Sequence, residues 1–97
     1  MVVKNTFATP YCQRPLQHGV DIVVHSLTKD VGGFGNEMGG AVIGSGTYFN
    51  LLILYRKDFG GVLPPKNARP ILVCGLPAPA ARMVNQQKSA MPVAEFC

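Results

Sequence analysis

A chain of 97 residues is one domain at most, and 47% hydrophobic against 14% charged residues excludes a disordered polar segment. The net charge of +4 is scattered from Lys4 to Lys88, with Arg56-Lys57 the one adjacent basic pair, which argues against a nucleic-acid surface. The apolar run Leu51 to Leu54 is far too short to span a membrane. Cys12, Cys74 and Cys97, an odd set without a CxxC pair, offer neither a disulfide framework nor a zinc site, and His18 and His25 add no ligand spacing; structural thiols in a reducing cytoplasm, with no bound metal, are the simplest reading.

In chain order, Met1 to Val3 is too short to assign alone, and Asn5, Thr6, Thr9 and Pro10 interrupt it. Arg14-Pro15 to His18 predicts one helical turn ended by Gly19. Val20 to Val24, VDIVV, is β-branched and nearly continuous, which predicts a strand covered on both faces. Gly39 to Gly44, GGAVIG, reads as a short strand with close backbone neighbours. Thr47 to Tyr55 fits either a strand or a buried helix, and periodicity does not decide. Gly60-Gly61 and Pro64-Pro65 mark a loop, and Arg69 to Leu76 a short element closing at Gly75-Leu76-Pro77. Ala80 to Met91 is the clearest helix, with Ala80, Met83, Val84, Gln87 and Met91 on one face. Pro79 suits its start, and Pro92, which cannot donate to the Lys88 carbonyl, predicts a kink or stop.

The chemistry concentrates in His25 to Gly40, HSLTKDVGGFGNEMGG. Lys29 follows an apolar run, with hydroxyls at Ser26 and Thr28 before it and glycines at 32, 33, 35, 39 and 40 after it. An amine at a strand end is a nucleophile able to form an imine with a carbonyl cofactor, and flanking hydroxyls can hold a phosphate. A solvated lysine in a turn with hydroxyls capping it accounts for the same pattern, because SxTK is a weak motif. His25 reads as a strand-end residue facing the interior rather than a base.

The HSLTK stretch and its glycine-rich sequel resemble the cofactor-lysine segment of the Cys/Met-metabolism enzymes that use pyridoxal phosphate (PLP), the family of cystathionine γ-synthase, cystathionine γ-lyase, methionine γ-lyase and O-acetylhomoserine sulfhydrylase. NTFATPYCQRP at 5–15, LYRKDFGG at 54–61, RPILVCGLP at 69–77 and QKSAM at 87–91 resemble further family segments, so the likeness covers nearly the whole chain. It implies an α/β fold, part of an aspartate-aminotransferase-like (fold type I) PLP domain with a mostly parallel sheet and a C-terminal helix over about 80–91. Residues 1–97 would form a partial PLP-binding large domain, truncated at both ends. The resemblance adds a buried parallel strand at Met1 to Val3, an antiparallel strand at Gly39 to Gly44, and a helix at Thr47 to Tyr55. Two parallel strands joined by a crossover put residue 4 and Lys29 at the same ligand-side edge of the sheet.

The resemblance also implies the activity: PLP-dependent elimination or replacement at the β- or γ-carbon of a sulfur-containing amino acid, in a cytoplasmic enzyme of a homotetrameric family. Lys29 would be the Schiff-base lysine, Ser26 and Thr28 would bind the cofactor phosphate, and Asn5 and Thr6 would also be cofactor-binding residues. Lys4 departs from the pattern, standing where the family has the aspartate paired with the pyridine nitrogen. Pro65, Pro79 and Pro92 depart as well. The upstream phosphate loop and stacking tyrosine, residues lent by a neighbouring subunit, and the downstream substrate-binding arginine are not among these 97 residues, so the chain alone is expected to be inactive. A non-catalytic fragment or remnant with a structural or assembly role is the reading from a different class. On either reading the isolated chain should expose strand edges and helix faces.

Overall fold

A computed structural model describes all of residues 1–97. Strand β1 (Val2–Lys4) runs parallel to β2 (Ile22–Ser26), which pairs antiparallel with β3 (Gly40–Gly44), giving the sheet order β1-β2-β3. Of the two strand pairings, one is parallel and one antiparallel, as the α/β reading of these segments requires. The crossover from β1 to β2 is short: helix α1 (Thr9–Cys12) and a 3-10 turn at Pro15–His18. Gly19, at φ 81°, ends that turn, a left-handed conformation that costs glycine little.

The central strand lies two residues later than the β-branched run suggests. Val20 and Asp21 give their N–H groups to Pro15 O and Met1 O, so they close the crossover. At the other end β3 supplies partners, with His25 opposite Ala41 and Ser26 opposite Gly40, and the strand extends to meet them. Coverage is one-sided. Val23 and His25 are buried, whereas Ile22, Val24 and Ser26 on the other face are half-covered. The expected burial of β1 is not found either: it is an edge strand, and Val2 is 64% exposed.

A 3-10 turn (Gly46–Tyr48) leads into helix α2 (Phe49–Phe59). The helical reading of this segment holds, but its burial does not. No residue of α2 is buried, because its main packing neighbour is the turn that precedes it. Pro65 is not in the loop where Gly60-Gly61 and Pro64-Pro65 placed it. It opens helix α3 (Pro65–Pro70) from the first helical position, where a missing N–H removes no intrahelical bond. A π-helical turn (Ile71–Gly75) follows.

Helix α4 (Pro79–Phe96) starts on Pro79 as expected and then runs through Pro92 without stopping. Every residue from Asn85 on is exposed, so water can serve the Lys88 carbonyl that Pro92 cannot reach. The apolar stripe is only partly used: Met83 is buried, Val84 half-buried and Met91 60% exposed. The start of α4 packs on α1 and on the turn after β2, and its second half projects away. The chain measures 49 × 33 × 22 Å, with a radius of gyration of 15.2 Å, against about 13 Å for a compact chain of 100 residues. Only 11 of 97 residues are buried, and the buried hydrophobic ones are Val23, Val31, Ile71 and Met83. No helix is long and apolar enough to cross a membrane.

Candidate functional site

Two segments far apart in sequence converge beyond the C-terminal ends of β1 and β2. Lys4 ends β1 opposite Val24. The chain then continues alongside β2: Asn5 N–H donates to Val24 O at 3.0 Å, and Ser26 N–H donates to Thr6 Oγ1 at 2.9 Å. Asn5 and Thr6 are both buried. The Asn5 amide donates to Gln13 O at 2.9 Å and Thr9 O at 3.3 Å, binding the crossover to the strand end. Thr9 is fully buried at φ 57°, a left-handed conformation that is strained for a β-branched residue, and the Asn5 bond helps hold it there. Phe7 follows, two-thirds exposed, and its ring meets the Lys29 side chain.

From the β2 side, Ser26 is half-buried, and a tight π-helical turn (Leu27–Val31) begins at once. Lys29 lies three residues past the strand, in that turn, with backbone angles φ −95° and ψ −135° that interrupt its helical geometry. The turn is tied to the entry of β3. Leu27 N–H donates to Gly39 O at 2.8 Å, and Gly39 N–H donates to Thr28 Oγ1 at 3.1 Å. Thr28 and Thr6 act as acceptors in these bonds, so each hydroxyl keeps its own hydrogen to donate. The Lys29 side chain is exposed, its Nζ 4.4 Å from the centroid of the Phe7 ring, and it forms no ion pair.

Below the turn, Val31, Ile71 and Met83 are buried where it meets the Ile71–Gly75 turn and α4. Arg82, which the residue pattern of α4 did not mark, reaches into this junction. Its Nη2 donates to Asp30 O at 2.7 Å, to Gly75 O at 2.9 Å and, more weakly, to Val31 O at 3.4 Å. Gln86, one turn on, donates from Nε2 to Asp30 Oδ1 at 2.9 Å. The sequence signal for Arg82 was faint: a cation beside the buried Met83 in an alanine-rich turn.

His25 is buried as expected and lines a cavity of about 260 Å³ together with Asn5, Gln13, Arg14 and Val23. Its Nδ1 has no hydrogen-bond partner, and burial holds the imidazole pKa below its ordinary value. A larger groove of about 990 Å³, lined by Val42, Phe49, Leu52, Ile53 and Leu63, includes none of the expected site residues. No cluster of His, Cys, Asp and Glu could hold a metal ion. All three cysteines are free thiols and exposed, and Cys12 Sγ accepts from Gln87 Nε2 at 3.5 Å.

The arrangement lies at the strand ends of an α/β fold, and solved structures share that fold. Over 98% of this chain and 24% of the other, it superposes with a TM-score of 0.93 and 35% identity on cystathionine gamma synthase from Xanthomonas oryzae pv. oryzae, in complex with aminoacrylate and cysteine. The match to metB from Corynebacterium glutamicum has a TM-score of 0.90 at 35% identity, over 98% of this chain and 25% of that one. These are PLP enzymes of fold type I, and the chain has the corresponding part of that fold.

The profile of the Cys/Met metabolism PLP-dependent enzymes matches residues 1–97, and the chain belongs to that family. L-methionine gamma-lyase from Fusobacterium nucleatum subsp. polymorphum is 42% identical over 98 residues, 99% of this chain and 25% of the lyase. O-succinylhomoserine sulfhydrylase from Pseudomonas aeruginosa is 38% identical over 96 residues, 99% of this chain and 24% of that enzyme. The chain thus spans about a quarter of the length of the curated relatives it matches. Pyridoxal phosphate is the family's cofactor.

Proposed function

We propose that this chain is the cofactor-lysine segment of a PLP-dependent carbon–sulfur lyase or transferase, one that eliminates or replaces a group at the β- or γ-carbon of a sulfur-containing amino acid. The observation that carries this reading is the position of Lys29: an exposed, unpaired amine on the turn that leaves the central strand, beside two hydroxyl-bearing residues. The donor set fits a phosphorylated aldehyde. The Lys29 amine would carry it, and Ser26 and Thr28 would donate to its phosphate, Thr28 through the hydrogen that Gly39 leaves free. Asn5 and Thr6 support the same edge from below by fixing β1 to β2. When bound, PLP supplies an electron sink for the substrate's α-carbon. The chain's own part is to hold the carbonyl group, accept and return protons at the Lys29 Nζ, and orient the phosphate.

Residue 4 is the one place where the fit fails. Lys4 is exposed at the end of β1, where the resemblance calls for a carboxylate to keep the pyridine nitrogen protonated. That cation favours a second reading for the chain, a non-catalytic member that keeps the segment's packing without the chemistry. With three exposed free thiols, the chain suits a reducing, cytoplasmic compartment. The sheet edge and the uncovered helices suit burial against the remainder of a homotetrameric enzyme, and the 97 residues alone would lack turnover.

The test is reductive trapping. The protein is incubated with PLP, reduced with borohydride and mapped by peptide mass spectrometry. A pyridoxyl adduct on Lys29, lost in Lys29→Ala, supports the assignment. An adduct spread over the surface lysines and unchanged in Lys29→Ala refutes it.

A further inference from the structure

We infer that Arg82 is a positioning residue for Lys29, an inference that rests on the assignment of Lys29 as the cofactor-bearing amine. The backbone break at Lys29 takes the carbonyls that follow out of regular helical bonding. Two of them, Asp30 O and Val31 O, are met by one nitrogen of Arg82, and the same nitrogen also binds Gly75 O. Nη2 carries two hydrogens. The contacts at 2.7 and 2.9 Å take them, and the 3.4 Å contact to Val31 shares one. No carboxylate pairs with this guanidinium, and its buried Nε has no partner. The cation is therefore committed to backbone oxygens, where a charged donor forms stronger bonds than a neutral one.

Packing fits the same role. A Cβ on Gly33 would lie 2.5 Å from the Arg82 Cζ, and one on Gly75 would lie 2.7 Å from both Val31 O and Gly32 O. Side chains are thus missing at the two positions where they would push the guanidinium or the neighbouring turn out of place. Gln86 adds a second hold on Asp30 from the same helix. Helix α4 therefore grips the residue next to Lys29 by its main chain and its side chain. The hydrogen bonds of Arg82 all go to backbone carbonyls, and its effect is to hold the Lys29 backbone at a fixed place beyond β2.

The experiment compares the protein with Arg82→Gln and Arg82→Lys. Amide hydrogen exchange is read over residues 29–33 and over β2, and borohydride trapping of PLP is read at Lys29. Arg82→Gln should speed exchange across 30–33 by about tenfold, leave β2 protected, and slow trapping at Lys29 several-fold. Arg82→Lys should recover part of both, because an ammonium offers three donors to the carbonyls that Nη2 served. Exchange and trapping unchanged in Arg82→Gln, with the adduct still on Lys29, would overturn the positioning role alone. Loss of β2 protection together with that of the turn would overturn it too, since Arg82 would then serve general packing. An adduct on other lysines of the unaltered protein would instead strike at Lys29 itself, and the exchange result would stand apart from it.

Discussion

The Lys29 ammonium lies 4.4 Å from the centroid of the Phe7 ring, so the segment leaving β1 holds the side chain that follows β2. A cation over an exposed ring gains about 0.5–1 kcal/mol. Phe7→Ala should release the amine and raise its acylation by an amine-selective reagent roughly two- to fivefold relative to Lys57. Peptide-level labelling rates measure this, and an unchanged ratio would mean that the ring does not restrain Lys29.

Lys4→Asp tests the departure at the end of β1. In a complete family subunit carrying residues 1–97, the Asp variant should turn over substrate faster by orders of magnitude. Reversing a charge at about 4 Å with an effective dielectric near 20 amounts to several kcal/mol before solvent screening, and each ~1.4 kcal/mol felt in the transition state is tenfold in rate. PLP trapping at Lys29 should change far less. Equal turnover of the two proteins, both holding PLP, would place the Lys4 charge out of reach of the ring.

Gly75→Ala should loosen the junction beneath Lys29. The added Cβ would meet the backbone oxygens of Val31 and Gly32 at 2.7 Å, and backbone gives way less readily than a flexible side chain. Overpacking of this kind costs about 1–3 kcal/mol. Chemical denaturation measures the loss, and a variant as stable as the parent would show that the two turns separate freely.

The stability of β2 should depend on pH through His25. Burial lowers the folded-state pKa of the imidazole below 6.5, so below that pH the unfolded chain takes up a proton that the folded chain refuses. The stabilisation is therefore complete above pH 6.5 and declines as the pH falls from there through the depressed value. Denaturation midpoints between pH 7.5 and 5 should drop more steeply for the parent than for His25→Phe. Parallel curves would remove His25 as the cause.

Pro92→Ala should lengthen the life of the last turns of α4. A proline inside a helix costs about 3 kcal/mol, less where the helix end already frays. Hydrogen exchange at Lys88 to Phe96 should slow, and circular dichroism should gain helical signal. No change in either would show that the final turns are held by something other than their own hydrogen bonds.

Much of the layout was legible in local residues. The β-branched run announced β2, Gly19 marked the end of the preceding turn, and the HSLTK motif pointed to Lys29 and its hydroxyl neighbours. These features follow from backbone conformational preference and from side-chain chemistry that neighbours in sequence already define. The antiparallel placing of β3 and the helical state of 49–59 came from resemblance, because a short apolar run looks alike in either conformation. Where the sequence pattern misled, it was over coverage and over element bounds: β2 begins at Ile22, Pro65 opens a helix, and α4 runs through Pro92. An apolar stripe states what a face could bury, but whether anything lies against it depends on the rest of the fold. Hence Leu54 and Met91 are exposed although their pattern suggested a core, and Val2 is exposed although the resemblance implied a buried strand.

By itself, then, the sequence determined the approximate places of β2, β3 and α4, the turn ended by Gly19, and which lysine stands just past the central strand. Tertiary structure alone decided that Phe7 would meet Lys29, that Asn5 and Thr6 would bind the crossover to β2, and that Arg82 would reach back to Asp30. The reason is physical: a hydrogen bond or a ring contact between residues 22 or 52 positions apart leaves no periodic trace in the chain, and exists only once the backbone has brought both partners together.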